Sequence, residues 1–149
     1  MQVICVTEIK YTCLIANKSS YMVFLPAVLI AAGIAFVSLW ENPQMPRMIQ
    51  ASDKVMHGVA YALLAISLMA AWIKTHSHFR LYQSPVVILL AVTAYGGVIE
   101  VLQRCCTLTR TAEMADLRAD FIGAFIGILL VLLIYYIIQT FHNPSSHRE

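Results

Sequence analysis

Charge is the scarcest ingredient of this chain: Asp, Glu, Lys and Arg together make up 12% of its 149 residues. Soluble domains carry about a quarter, so the polar surface needed to cover a water-soluble globule is missing. Nor is the little charge present segregated by sign. Ten Lys and Arg against eight Asp and Glu give a net charge of +2, and no basic run forms a track for a polyanion, which sets nucleic-acid binding aside. Familiar catalytic signatures are absent too. There is no G-x-S-x-G, no H-E-x-x-H, no lipid-phosphatase pattern of paired His and Arg, and no Walker loop. The four cysteines, Cys5, Cys13, Cys105 and Cys106, make no C-x2-C or Cys/His zinc spacing. They read as buried or interfacial thiols, with a vicinal disulfide open to Cys105 and Cys106 if their loop faces an oxidising compartment. No internal repeat or low-complexity segment appears.

What the chain does have is apolar length. Hydrophobic residues make up 60% of it, and the mean hydropathy is +0.74. Four apolar stretches, at about 21–40, 56–73, 85–103 and 121–141, each approach the roughly 20 helical residues that cross about 30 Å of hydrocarbon. In lipid only a helix satisfies every backbone group within one segment. The expected fold is therefore all-α: a polytopic integral membrane bundle of four transmembrane helices spanning 21–141. Trp40 followed by Pro43 and Pro46 marks an interfacial exit. Trp72 and Tyr82 fall near interfaces, whereas Tyr135 and Tyr136 lie deeper and are expected to pack. Residues 1–20 read as a tail without the basic start and cleavage site of a secretory signal, with Met22 an alternative start. Residues 142–149 read as a short polar terminus.

Four spans put both termini on one side. Lys10, Lys18, Lys74, Arg80 and Arg148 then oppose Arg47, Lys54, Arg104, Arg110 and Arg118, which is a tie. The central loop breaks it, because Lys74 and Arg80 have no acid beside them. The expected placement is the inner (cytoplasmic) membrane, with termini and central loop cytoplasmic and the first and third loops outside.

Polar residues inside the spans gather at one end. Asp53, His57 and Tyr61 recur at i, i+4 and i+8 and share a helix face, with Lys54 beside them. Asp53 alone reads as a helix cap, but that does not account for His57 one turn inside the membrane. Glu100 lies at the edge of hydrocarbon or within it. An intramembrane acid is costly and usually faces the bundle interior with a partner, here His57 or Arg104. Thr93, Gly96, Gly97 and Gln103 flank Glu100 as a small, polar stripe. Asp116, Asp120, Gly123 and Gly127 form a face of the fourth span, and the last two make a G-x-x-x-G pair that permits close helix contact. Because the spans alternate in direction, these clusters border the first and third loops, on one side of the membrane. His57, Glu100, Asp116 and Asp120 are the candidate catalytic residues, with Glu100, His57 and Asp116 expected to act as one site. Asp53, Lys54, Tyr61, Gln103 and Arg110 are candidate ligand contacts, and Gly96, Gly97, Gly123 and Gly127 are candidate packing positions.

At these residues the chain resembles the VanZ-like family, read as D-K-x-x-H-x-x-x-Y, then E-x-x-Q, then an Arg and D-x-x-A-N/D-x-x-G-x-x-x-G. The corresponding stretches here are DKVMHGVAY, EVLQ, Arg110 and DLRADFIGAFIG. Asp120 stands where many members have Asn, and Cys105-Cys106 replaces a short Gly/Pro turn. The namesake is associated with low-level resistance to the glycopeptide teicoplanin, so the resemblance implies a role at the cell envelope with a lipid-linked precursor or a glycopeptide as ligand. Three readings of the polar cluster stay open. It is a binding site, an enzyme centre using acid–base or divalent-metal chemistry, or a structural clasp. A divalent metal is allowed by the residues but not required by them. A standalone transporter is disfavoured, since no repeat or broken helix appears.

Overall fold

A computed structural model describes residues 22–40, 50–75, 83–107 and 114–142, with the side chains of 50–53 and 142 outside that description. The elements among the described residues are all helices: α1 (Leu25–Leu39), α2 (Gln50–Thr75), α3 (Gln83–Cys106) and α4 (Met114–His142). The last three are long and apolar enough to cross a membrane, and α1 is apolar but shorter. At 15 residues it covers about 22 Å. Conversely α4, with 29 residues, runs about 43 Å and extends its polar first turns beyond the hydrocarbon.

The helix ends follow local chemistry. Pro26 sits in the first turn of α1, where a missing N–H costs nothing, and Pro85 does the same in α3. At the other end of α3, Thr107 donates both its backbone N–H and its hydroxyl to the Gln103 carbonyl, at 3.0 and 2.7 Å, which satisfies an acceptor the helix itself cannot.

The α2–α4 interface is the most extensive, and small residues explain it. A Cβ on Gly123 would run into the backbone of Gly58, and one on Gly127 would lie 2.6 Å from the Ala62 carbonyl. Without those side chains the two backbones come into direct contact, as G-x-x-x-G crossings do in lipid. The buried core around the crossing contains Tyr61, Leu64, Ala65, Met69, Val92, Ala124 and Ile128. The outer faces are apolar, with Val59, Leu90, Ile126 and Phe141 among many exposed large side chains, as a bilayer requires. Tyr136 departs from expectation: it is 69% exposed and lies on this lipid-facing surface instead of packing. Position 136 falls on the outward side of α4, whose inward side the small residues occupy.

Helix α1 is tied on by two side chains of α3. The Tyr95 hydroxyl donates to the Ala31 carbonyl at 2.6 Å, and Gln103 Nε2 donates to the Ser38 carbonyl at 3.0 Å. The second bond meets a carbonyl in the last turn of α1 that has no intrahelical donor. Cys105 and Cys106 are unbridged and exposed in this structure.

Candidate functional site

His57 lies seven residues into α2, Glu100 six residues before the end of α3, and Asp120 six residues into α4. At 1.5 Å per residue these are axial depths of about 9–11 Å. Alternating helix directions therefore bring one His and two acids to the same level. One ligating atom from each lies within 4.8 Å of the others, and all three residues are buried. His57 Nδ1 is 3.1 Å from Asp120 Oδ1. A carboxylate only accepts, so with Asp120 ionised Nδ1 carries the proton.

Packing builds this arrangement. The Gly58–Gly123 contact lies immediately beside His57 and one turn from Asp120, and it draws α2 and α4 close enough for the two side chains to meet directly. On α3, Gly96 leaves room for the acid: a Cβ there would stand 2.7 Å from Asp120 Oδ2 and 3.3 Å from Tyr61 Cε1. The Tyr61 ring lies nearly parallel to that of His57, 8° apart with centroids at 6.3 Å. Tyr61 also contacts Tyr95, at 6.3 Å between centroids. Two polar atoms at the centre, Asp120 Oδ2 and the Tyr61 hydroxyl, are buried and meet no hydrogen-bond partner among the described residues.

The other sequence-predicted residues take different places. Asp116 lies one turn nearer the membrane end than Asp120 and pairs with Lys54 at 3.9 Å, above the triad and outside it. That separation, with Lys54 partly exposed, makes the pair weak. Gln103 is buried, but its amide is engaged with α1. Glu100 is buried while Arg104 is exposed, so Glu100 sits with His57. A Cβ on Gly97 would meet nothing within 4 Å, so Gly96 takes part in packing and Gly97 does not. Asp53 and Arg110 lie outside the described side chains. Reading the sequence did not single out Tyr95, Gly58 or Gly33. A tyrosine within span 85–103, five residues before Glu100, was the available signal for the first. Gly58, next to His57, was the signal for the second.

One further feature adjoins the triad. His57 and Tyr61 form part of the wall of a cleft of about 250 Å³ between α1 and α2, lined otherwise by Ser38 and by apolar residues that include Ile34, Val37, Met56 and Leu63. Val37, Met56 and Leu63 are all exposed, so the cleft opens sideways toward lipid. Its α1 wall is lowered at Gly33, where an added Cβ would touch nothing within 4 Å.

The sequence matches the model of the VanZ/LLP1 family over residues 10–136, well over half of its length. The chain belongs to the VanZ/LLP1 family. No curated protein and no solved structure matches it. For this VanZ/LLP1 chain the residues carrying the motif resemblance and the residues meeting at the triad overlap: His57, Tyr61, Glu100 and Asp120 belong to both.

Proposed function

We propose that this multi-pass VanZ/LLP1 membrane protein binds a lipid-linked amphiphile of the cell envelope. In this reading the polar head meets His57, Glu100 and Asp120, and an alkyl chain lies in the α1–α2 cleft. The observation that carries it is the adjacency of the two parts: His57 belongs both to the buried triad and, with the adjoining Tyr61, to the wall of a lateral apolar cleft. Apolar clefts alone are ordinary on a lipid-facing surface. One that reaches buried His57, itself paired with Asp120, is suited to a molecule with both a tail and a polar head. The volume favours a lipid over the alternative, because about 250 Å³ falls below the roughly 300–1,000 Å³ of pockets that enclose drug-sized ligands. A single alkyl chain fits such a space and a glycopeptide does not. Any effect on teicoplanin susceptibility would then be indirect, through the envelope lipid.

The test is photo-crosslinking from the cleft. A benzoylphenylalanine at Leu63 in intact cells should yield an adduct enriched in one class of amphiphile relative to bulk membrane lipid. Gly33→Leu fills the cleft without touching the triad and should remove that enrichment while leaving thermal stability unchanged. Adducts that mirror bulk phospholipid composition in both proteins would contradict the reading.

A further inference from the structure

We propose that His57, Glu100 and Asp120 form a binding site for one divalent first-row cation of the Mn²⁺ or Zn²⁺ type. The site goes beyond the amphiphile reading and does not depend on the cleft. Its donor set is one imidazole nitrogen and two carboxylates contributed by three helices, with ligating atoms within 4.8 Å of one another. Around a cation with bonds of about 2.1 Å, ligand atoms stand about 3.4 Å apart in tetrahedral geometry and, in octahedral geometry, about 3.0 Å apart when adjacent and about 4.2 Å when opposed. The observed spacing is within a small side-chain rotation of both. Imidazole with carboxylate suits Mn²⁺ and Zn²⁺ better than Mg²⁺, which keeps to oxygen and to its water.

Two further observations point to a ligand instead of a self-contained ion pair. Asp120 is 1% exposed, and its Oδ2 has no hydrogen-bond partner among the described residues. The Tyr61 hydroxyl, on a side chain also 1% exposed, is in the same position. The ring edge of Tyr61 and Asp120 Oδ2 crowd the same point above Gly96. Buried polar atoms of this kind are rare without a bound ion or water. Charge argues the same way. Two carboxylates this close in a low-dielectric bundle repel strongly unless neutralised, and His57 supplies one positive charge at most. A divalent cation would replace the proton that His57 and Asp120 share and balance both acids.

The experiment uses the full chain in detergent, stripped with a chelator and titrated with Mn²⁺ alone. Mn²⁺ is chosen because thiolates such as exposed Cys105 and Cys106 favour Zn²⁺. Wild type should retain about one Mn²⁺ per chain, with a melting temperature raised by a few degrees. Spin-echo spectroscopy of the bound ion should show coupling to one imidazole nitrogen. Asp120→Asn and Glu100→Gln should each weaken binding about tenfold or more, and His57→Gln should abolish the nitrogen coupling. Should the variants fail to fold, the wild-type spectrum decides alone. Less than about a tenth of an equivalent retained by the wild type, or bound Mn²⁺ lacking nitrogen coupling, would overturn the proposal. An intact Leu63 adduct alongside that result would leave the amphiphile reading standing.

Discussion

The difference between Gly96 and Gly97 shows how much one Cβ decides at the residue scale. Neighbouring positions on a helix point about 100° apart, so one faces Asp120 and the other faces open space. Gly96→Ala should push Asp120 out of place, lowering stability by about 1–3 kcal/mol as overpacking does and weakening whatever the triad binds. Gly97→Ala should change stability by less than about 1 kcal/mol, and in the favourable direction, since it adds helix propensity and no clash. Thermal unfolding of the two variants in one detergent checks both, and equal effects would contradict the assignment. The sequence pattern identified a polar face containing Asp116 and Asp120 and grouped Asp116 with His57 and Glu100, whereas Asp120 is the acid that meets His57. The two aspartates share a face one turn apart, and only depth along α4 separates the acid that meets His57 from the one that meets Lys54. Gln103 was legible as an inward polar residue. That it would tie α3 to α1 was not, because its acceptor is a backbone carbonyl, which no side-chain pattern reveals.

At the scale of elements, hydropathy made the helices easy to read, since lipid leaves the backbone no other way to satisfy itself. Their exact extent was harder. Helices α2 and α4 continue several residues past the apolar runs at their polar ends, because a helix does not stop where hydrophobicity does. The G-x-x-x-G pair at Gly123 and Gly127 announced a close crossing but not its partner, which proves to be Gly58 and Ala62 on α2. Gly123→Leu should separate α2 from α4 and break the His57–Asp120 contact as well. The expected result is loss of the folded bundle in detergent, or a melting temperature lower by more than the few degrees of an ordinary surface change. Retention of wild-type stability would mean that the crossing is not close. The α1 attachment is a gentler case. Tyr95→Phe removes one hydrogen bond and should cost about 1 kcal/mol, with increased accessibility of the cleft measured by labelling of a cysteine placed at Ile34.

For the whole molecule, three helices long enough to span and a fourth that is shorter fit a multi-pass VanZ/LLP1 protein. The orientation proposed from the cation-only central loop is open to direct test. In a background lacking the native cysteines, a cysteine at Thr109 should react with an impermeant thiol reagent on intact cells, and one at Ser77 should not. The reverse pattern would place the triad on the cytoplasmic face. The organisation of the molecule explains why a site was visible at all without a fold: in an up-down bundle, residues near the ends bordering the first and third loops meet regardless of handedness or crossing angle. Crossing angle and handedness do determine which of those residues touch, and that information came only from the packed structure.

The central claim is that His57, Glu100 and Asp120 act as one unit and do not merely hold three helices together. The most direct measurement is the yield of the enriched amphiphile adduct at Leu63, read beside the melting temperature, in His57→Gln, Glu100→Gln, Asp120→Asn and their pairwise combinations. These substitutions keep approximate size and hydrogen-bonding capacity while removing charge or proton transfer. As a unit, each single change should lower the adduct about tenfold or more with melting temperatures near wild type, and each pair should be little worse than its worse single member. Adduct yields that stay at the wild-type level in all three single variants, or that fall only in step with stability, would contradict the claim and leave a structural clasp.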